Sequence, residues 1–317
     1  MKITIFILLT LFTLSCTEDF AIRTNESDTR LVLAGAITNE EGPYFFRVSL
    51  SELNSASSQV KAGISDALVI ISDNKGVVDT LKSLNPTIKI HPFWYYSYIT
   101  VPKYSGTMDT ISSVGYDSTV FKGIYYTTKV QGKPGNTYTI QIKYREKITQ
   151  ASDQMPLLPA IDSIKFNTKK LDKDGASFLV PYIYFKEPQD EINYYMFNFG
   201  GDDLKSLIFG GSRVWRFSII DDTYLTGDIN GLSIDDGASP VGSEDFYYPI
   251  EGDSTKIRML SLSNSAYQYY KSIISQFEND GGAYTPTPSN PPSNLSNGAL
   301  GFFRASAVNE KRVIVRK

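Results

Sequence analysis

Tyr138-Thr139-Ile140-Gln141-Ile142-Lys143-Tyr144-Arg145 is the stretch that decides the fold class. Large apolar groups occupy every second position and polar groups fill the rest. Successive side chains of an extended strand point to opposite faces, so this spacing puts one face in a core and leaves the other wet. Trp215-Arg216-Phe217-Ser218-Ile219 repeats the pattern, and Tyr195-Met196-Phe197-Asn198-Phe199 follows it more loosely. Leu31-Val32-Leu33-Ala34-Gly35-Ala36-Ile37 and Ala67-Leu68-Val69-Ile70-Ile71 are apolar on both faces, as expected of central strands covered on both sides. Asp73-Asn74-Lys75-Gly76 follows with turn chemistry. Short apolar runs broken by Gly, Asn, Asp and Pro identify a mainly β protein.

The chain divides at Met155-Pro156-Leu157-Leu158-Pro159, where two prolines fix φ and interrupt any ladder. Residues 30–155 read as an N-terminal β-sandwich domain and residues 156–317 as a second β-rich domain, both immunoglobulin- or transthyretin-like in architecture. The second carries one helix, expected over 264–278. Ser263 or Asn264 can cap it, Ala266, Tyr270, Ile273, Ile274 and Phe277 recur at helical spacing, and Gly281-Gly282 ends it. The proline-rich stretch from Tyr284 to Pro292 favours an extended, stiff conformation. Asn297-Gly298 then turns into a last pair of strands, Ala299 to Ala307 and Arg312 to Val315.

The N-terminus supplies an address. Lys2 precedes the predominantly apolar run from Ile3 to Leu14 and the small residue Ser15, which together read as a signal peptide over residues 1–15. The run is too short for a permanent membrane span. Thr13-Leu14-Ser15-Cys16 resembles the bacterial lipobox, although Thr13 stands where that pattern usually has leucine. Cys16 is the sole cysteine of the chain, so lipid attachment there leaves no thiol for a disulfide. Residues 16–29 then form a polar tether. Its opening, Thr17-Glu18-Asp19-Phe20, resembles the short acidic export signal of surface-exposed lipoproteins of Bacteroidota. The expected location is therefore the outer membrane, lipid-anchored and facing the cell exterior.

The charge is nearly balanced, with 31 basic against 34 acidic side chains. No basic stripe is available to neutralise phosphates, which argues against a nucleic-acid partner. Chemistry has little material. His91 is the only histidine and sits in the aromatic stretch His91-Pro92-Phe93-Trp94-Tyr95-Tyr96, a poor setting for a triad base. Acidic groups at Asp202-Asp203, Asp221-Asp222, Asp228, Asp235-Asp236 and Glu244-Asp245 suit calcium by type but lack helix-loop-helix calcium spacing, so turn formation is the simpler reading. Gly200-Gly201 and Gly210-Gly211 lack the P-loop lysine. No catalytic residue, metal site or cofactor is expected.

Two surface features remain. Phe93, Trp94, Tyr95 and Tyr96 form a candidate aromatic platform for a partner or a glycan, against the ordinary alternative of β-core. Asp followed by Ser or Thr at Thr80, Thr110, Ser118, Ser163 and Ser254 resembles the short O-glycosylation pattern of exported Bacteroidota proteins, which fits the expected compartment.

Several segments together resemble a known family. They are Leu31 to Asn39 with Gly42-Pro43-Tyr44, Gly132-Lys133-Pro134-Gly135-Asn136-Thr137-Tyr138, Met155-Pro156 with Pro159-Ala160-Ile161-Asp162, and Asn297-Gly298-Ala299-Leu300-Gly301-Phe302-Phe303-Arg304-Ala305-Ser306. They are similar to a domain-of-unknown-function family of Bacteroidota lipoproteins, commonly encoded beside TonB-dependent (SusC-like) receptors. The resemblance implies a non-enzymatic accessory subunit of an outer-membrane β-barrel, acting in uptake or outer-membrane assembly. It transfers no catalytic residue. The alternatives are a glycan-binding or adhesive module acting through the Trp94 stretch and, third, a hydrolase using two converging carboxylates.

Overall fold

A computed structural model describes residues 29–51, 63–85, 89–90, 96–114, 121–170, 177–189, 191–199, 217–223, 225–234, 250–278 and 291–316. Strands are numbered in chain order. The described residues are mostly strand, arranged in several sheets, with a single helix.

The first sandwich packs two sheets face to face. One runs β18-β1-β2-β9-β5, from Leu300–Ser306, Leu31–Thr38, Phe45–Leu50, Ile124–Tyr126 and Lys82–Ser83. The other runs β11-β10-β3-β4, from Lys147–Gln154, Thr137–Tyr144, Leu68–Asp73 and Val78–Thr80. The alternation read from Tyr138 to Tyr144 is realised: Tyr138, Ile140 and Ile142 are fully buried, and Thr139, Gln141 and Lys143 lie on the other face. Leu33, Phe46, Val48, Val69 and Ile71 close the core between the sheets. A three-stranded sheet of β6 (Lys89–Ile90), β7 (Tyr96–Pro102) and β8 (Met108–Val114) lies beside it, and Val101 joins Leu84, Phe121 and Ile124 in a small apolar cluster.

The second sandwich faces sheet β12-β13-β16 (Ile161–Lys170, Ser177–Lys186, Asp228–Ser233) against sheet β15-β14-β17-β19 (Phe217–Asp221, Tyr194–Phe199, Ser254–Leu262, Val308–Ile314). Phe166, Ile183, Phe185, Tyr195, Phe197, Ile257 and Met259 fill it. Helix α1, Asn264–Glu278, covers the opposite face of the second of these sheets through Ala266 and Tyr267, which meet Met196, Leu260 and Leu262. The helix starts where the sequence supplies a cap: Ser263 Oγ accepts the Ala266 amide at 3.2 Å.

The two sandwiches are not sequential. β18 comes from the end of the chain yet pairs in parallel with β1, from Val32↔Leu300 to Thr38↔Ser306. Its side chains alternate between two environments: Phe303 and Ala305 enter the first core, while Phe302 lies under α1. One residue, Ala307, separates β18 from β19, so the chain passes from one sandwich to the other without slack. The N-terminal sandwich of residues 30–155 is thus completed by residues 300–306, an amendment that local pattern could not supply.

The crossing is locked by polar groups. Ser261 Oγ donates to Pro156 O at 3.0 Å and accepts from Ala307 N at 2.9 Å, and Ala307 O accepts the Ser261 amide at 3.0 Å. Asn39 holds both backbone groups of Val308, accepting its amide at 2.6 Å and donating to its carbonyl at 3.2 Å. An Arg258–Glu40 ion pair spans the same junction. Buried hydrogen-bonding groups are costly to leave unmatched, so these pairings fix the relative placement of the two sandwiches.

Candidate functional site

The sequence-predicted residues that fall among the described ones do not converge. Cys16, Ser118 and the aromatic residues Phe93, Trp94 and Tyr95 lie outside the described residues, as does His91. Tyr96 opens strand β7. Thr80 on β4, Thr110 on β8 and Ser254 at the start of β17 are exposed, and Ser163 is half-buried beside the irregularity that separates Ile161 from Ser163 in the β12–β13 register. Asp202, Asp203, Asp235, Asp236, Glu244 and Asp245 lie outside the described residues. Asp221 accepts the Tyr267 hydroxyl at 3.0 Å, and Asp222 accepts the Asn193 amide at 2.7 Å. Among the described residues no three acidic, histidine or cysteine groups are placed to hold a metal ion, and no helix is long and apolar enough to cross a membrane.

The buried acids serve structure. Asp79, fully buried on β4, accepts from the amides of Thr128 (2.7 Å), Lys129 (2.8 Å) and Val130 (3.0 Å) and from the Thr128 hydroxyl (2.5 Å). Burial alone would raise its pKa; the Thr128 hydroxyl and the three amides outweigh it and hold the carboxyl below its ordinary value. Asp153 points inward from β11, where burial pushes its pKa up to about 6 against the pull of the Ser263 hydroxyl, the Ala305 amide and the Arg304 charge. Glu187 accepts from Tyr195 Oη at 2.9 Å and Asn193 Nδ2 at 3.1 Å, and burial still raises it. Each of these acids closes a loop or a junction, and all three are buried.

A different feature stands out on the first sandwich. The expectation that Ala67–Ile71 forms a strand covered on both sides is corrected by the structure: Val69 and Ile71 are buried, but Leu68 is 48% exposed. Its neighbours on the outer face of sheet β11-β10-β3-β4 are uncovered too, Val78 at 52% and Ile148 at 47%. The register sets them in rows. Ile148, Lys143 and Leu68 form one, Gln150, Gln141, Ile70 and Thr80 the next, and Ser152, Thr139, Ser72 and Val78 the third. Thr139 and Ser152 share a hydroxyl hydrogen bond of 2.7 Å.

Lys143 is the only charged side chain in these rows. A charge-poor patch with an aliphatic component is the composition of interface centres rather than of ordinary solvated surface, because desolvating it costs little.

The β11 edge of this sheet is closed. Along β11, Ser296 N donates to Gln150 O and Ser296 Oγ accepts from Gln150 N, each at 2.9 Å, while Asn297 Nδ2 donates to Ile148 O at 2.6 Å. Along β4, Asp79 binds the 128–130 loop as described. Strand addition along the middle of β11 is therefore blocked, and the broad outer face is the surface left open beside it. Sequence reasoning missed it because an apolar run does not report whether its second face is covered. The signal available was the absence of Asp and Glu from the outward positions of two separated strand pairs, β3 with β4 and β10 with β11.

No curated protein shows significant similarity to the chain. The family model described as Domain of unknown function (DUF4249) matches residues 17–312, a span that takes in both sandwiches, the helix and the returning strand β18. The chain belongs to the DUF4249 family.

Proposed function

We propose that the protein is a non-enzymatic lipoprotein of a Bacteroidota outer membrane, held by an acylated Cys16 and facing the cell exterior, where it serves as accessory subunit of a TonB-dependent-type β-barrel. The observation that carries the reading is the uncovered, charge-poor face of sheet β11-β10-β3-β4 on a body whose two sandwiches are locked together. Such a body suits presenting a surface, not opening and closing around a substrate. The lipobox-like Thr13-Leu14-Ser15-Cys16 and the acidic tether add support, as does a family match that begins at residue 17. Acyl chains contribute roughly 0.8 kcal/mol per buried methylene, so multiple acylation would hold the protein firmly at the bilayer.

Mass spectrometry of the N-terminal peptide tests the anchor, with an acylated Cys16 expected and Cys16→Ala expected to release the protein from the membrane fraction. Affinity purification from detergent-extracted outer membranes tests the partnership; a barrel of integral-membrane mass should accompany the full-length protein. An unmodified Cys16, or a protein that migrates alone from gentle extracts, overturns the reading.

A further inference from the structure

The proposed accessory role leaves open which surface meets the partner and what that partner must look like. Three occupants could cover the outer face of sheet β11-β10-β3-β4: a second copy of the chain, a glycan or a different protein. The rows specify the chemistry. Leu68, Ile70, Val78 and Ile148 are aliphatic, and Ser72, Thr80, Thr139, Gln141, Gln150 and Ser152 are uncharged hydrogen-bonding groups. Lys143 stands between Ile148 and Leu68 in one row, exposed, with no ion-pair partner among the described residues. Covering a lysine without a counter-charge is unfavourable, so whatever seals this face must bring an anion to it.

A second copy meeting this face with its own supplies none, because the rows contain no Asp or Glu. Four strands about 4.8 Å apart with rows about 7 Å apart give a face of roughly 400–500 Å², short of the ~800 Å² per partner that a stable free-standing dimer buries. A glycan is disfavoured because the rows contain no aromatic ring to stack on a sugar, and aliphatic side chains take the place such a platform would fill. A protein already confined to the same membrane does not need a full-sized interface, since tethering both partners raises their effective concentration.

We infer that the outer face of sheet β11-β10-β3-β4 is the docking surface for a different protein, whose contact patch is aliphatic and places a carboxylate against Lys143. This rests on the accessory reading above, and it names the surface and the charge pattern of the partner.

The test places a photo-crosslinking amino acid at exposed position 150 of the full-length chain in its native membrane, with and without Lys143→Glu. One protein adduct is expected, at a mass other than twice that of the chain. It should fall at least tenfold with Lys143→Glu and return when the carboxylate found by mass spectrometry at the crosslinked site of the partner is exchanged for lysine. Urea unfolding of Lys143→Glu should match that of the parent, since the side chain is exposed.

An adduct of two copies, a heterogeneous glycan ladder, or a protein adduct indifferent to Lys143→Glu each overturns the inference. If the barrel still copurifies while position 150 gives no adduct, the surface is wrong and the accessory role stands. If neither is seen, both fall.

Discussion

Asp79 shows how completely a charged residue can be absorbed by the fold. Four hydrogen bonds from residues 128–130 converge on its buried carboxylate, so Asp79→Ala leaves three amides and a hydroxyl without an acceptor. Charge-assisted bonds of this kind are the strong ones, and the substitution is expected to cost about 3–5 kcal/mol, read as a drop in the urea midpoint. Asp153 carries the opposite pH signature. Its folded pKa, near 6, lies above the ordinary carboxylate value, so folding favours the protonated form. Its contribution to stability therefore rises as pH falls from about 6 toward 4, by roughly 2 kcal/mol, whereas that of Asp79, whose pKa is depressed, is present above about pH 4 and is lost below it. Denaturation midpoints measured across pH 4–7 should show the Asp153 component in the parent and a flatter profile in Asp153→Asn.

At the scale of single elements, what was legible depended on how local the physics is. Period-two alternation marked β10, and helical spacing with a serine cap marked α1, because both patterns arise within a few residues. Ser263→Ala is accordingly expected to cost about 1 kcal/mol, visible as earlier thermal loss of helical signal. β3 was legible as a strand, but whether a neighbour covers its outer face is decided by the placement of other elements, which leaves no mark on the five residues themselves. Pairing of β18 with β1 was not legible at all, since nearly 270 positions separate partners such as Leu33 and Gly301. The structure gives a residue-level reason for that pairing: Gly301 has φ +90°, and a Cβ there would lie 1.9 Å from Leu33 O. Gly301→Ala combines a strained backbone with a collision against the partner strand, and is expected to destabilise the protein by roughly 3 kcal/mol, measurable by calorimetry.

On the scale of the whole molecule, the two prolines at Pro156 and Pro159 mark an interruption of the strands, while the return of the chain to complete the first sandwich left no mark in the sequence. Composition and alternation describe what each strand is; they do not say which of many compatible edges it joins. Residues 30–155 expressed alone should therefore expose the core surface that Phe303 and Ala305 cover, giving a species that binds hydrophobic dye and unfolds without cooperativity. Adding back residues 291–307 through a flexible linker should restore a sharp transition. The parallel ladder between β1 and β18 also has a mechanical consequence. Traction applied at residue 29 and resisted through β19 pulls the two strands along their length in opposite directions, so the hydrogen bonds from Val32↔Leu300 to Thr38↔Ser306 share the load together instead of breaking one after another. Pulled at its amino end, the protein would thus meet the load with the strongest orientation a sheet possesses.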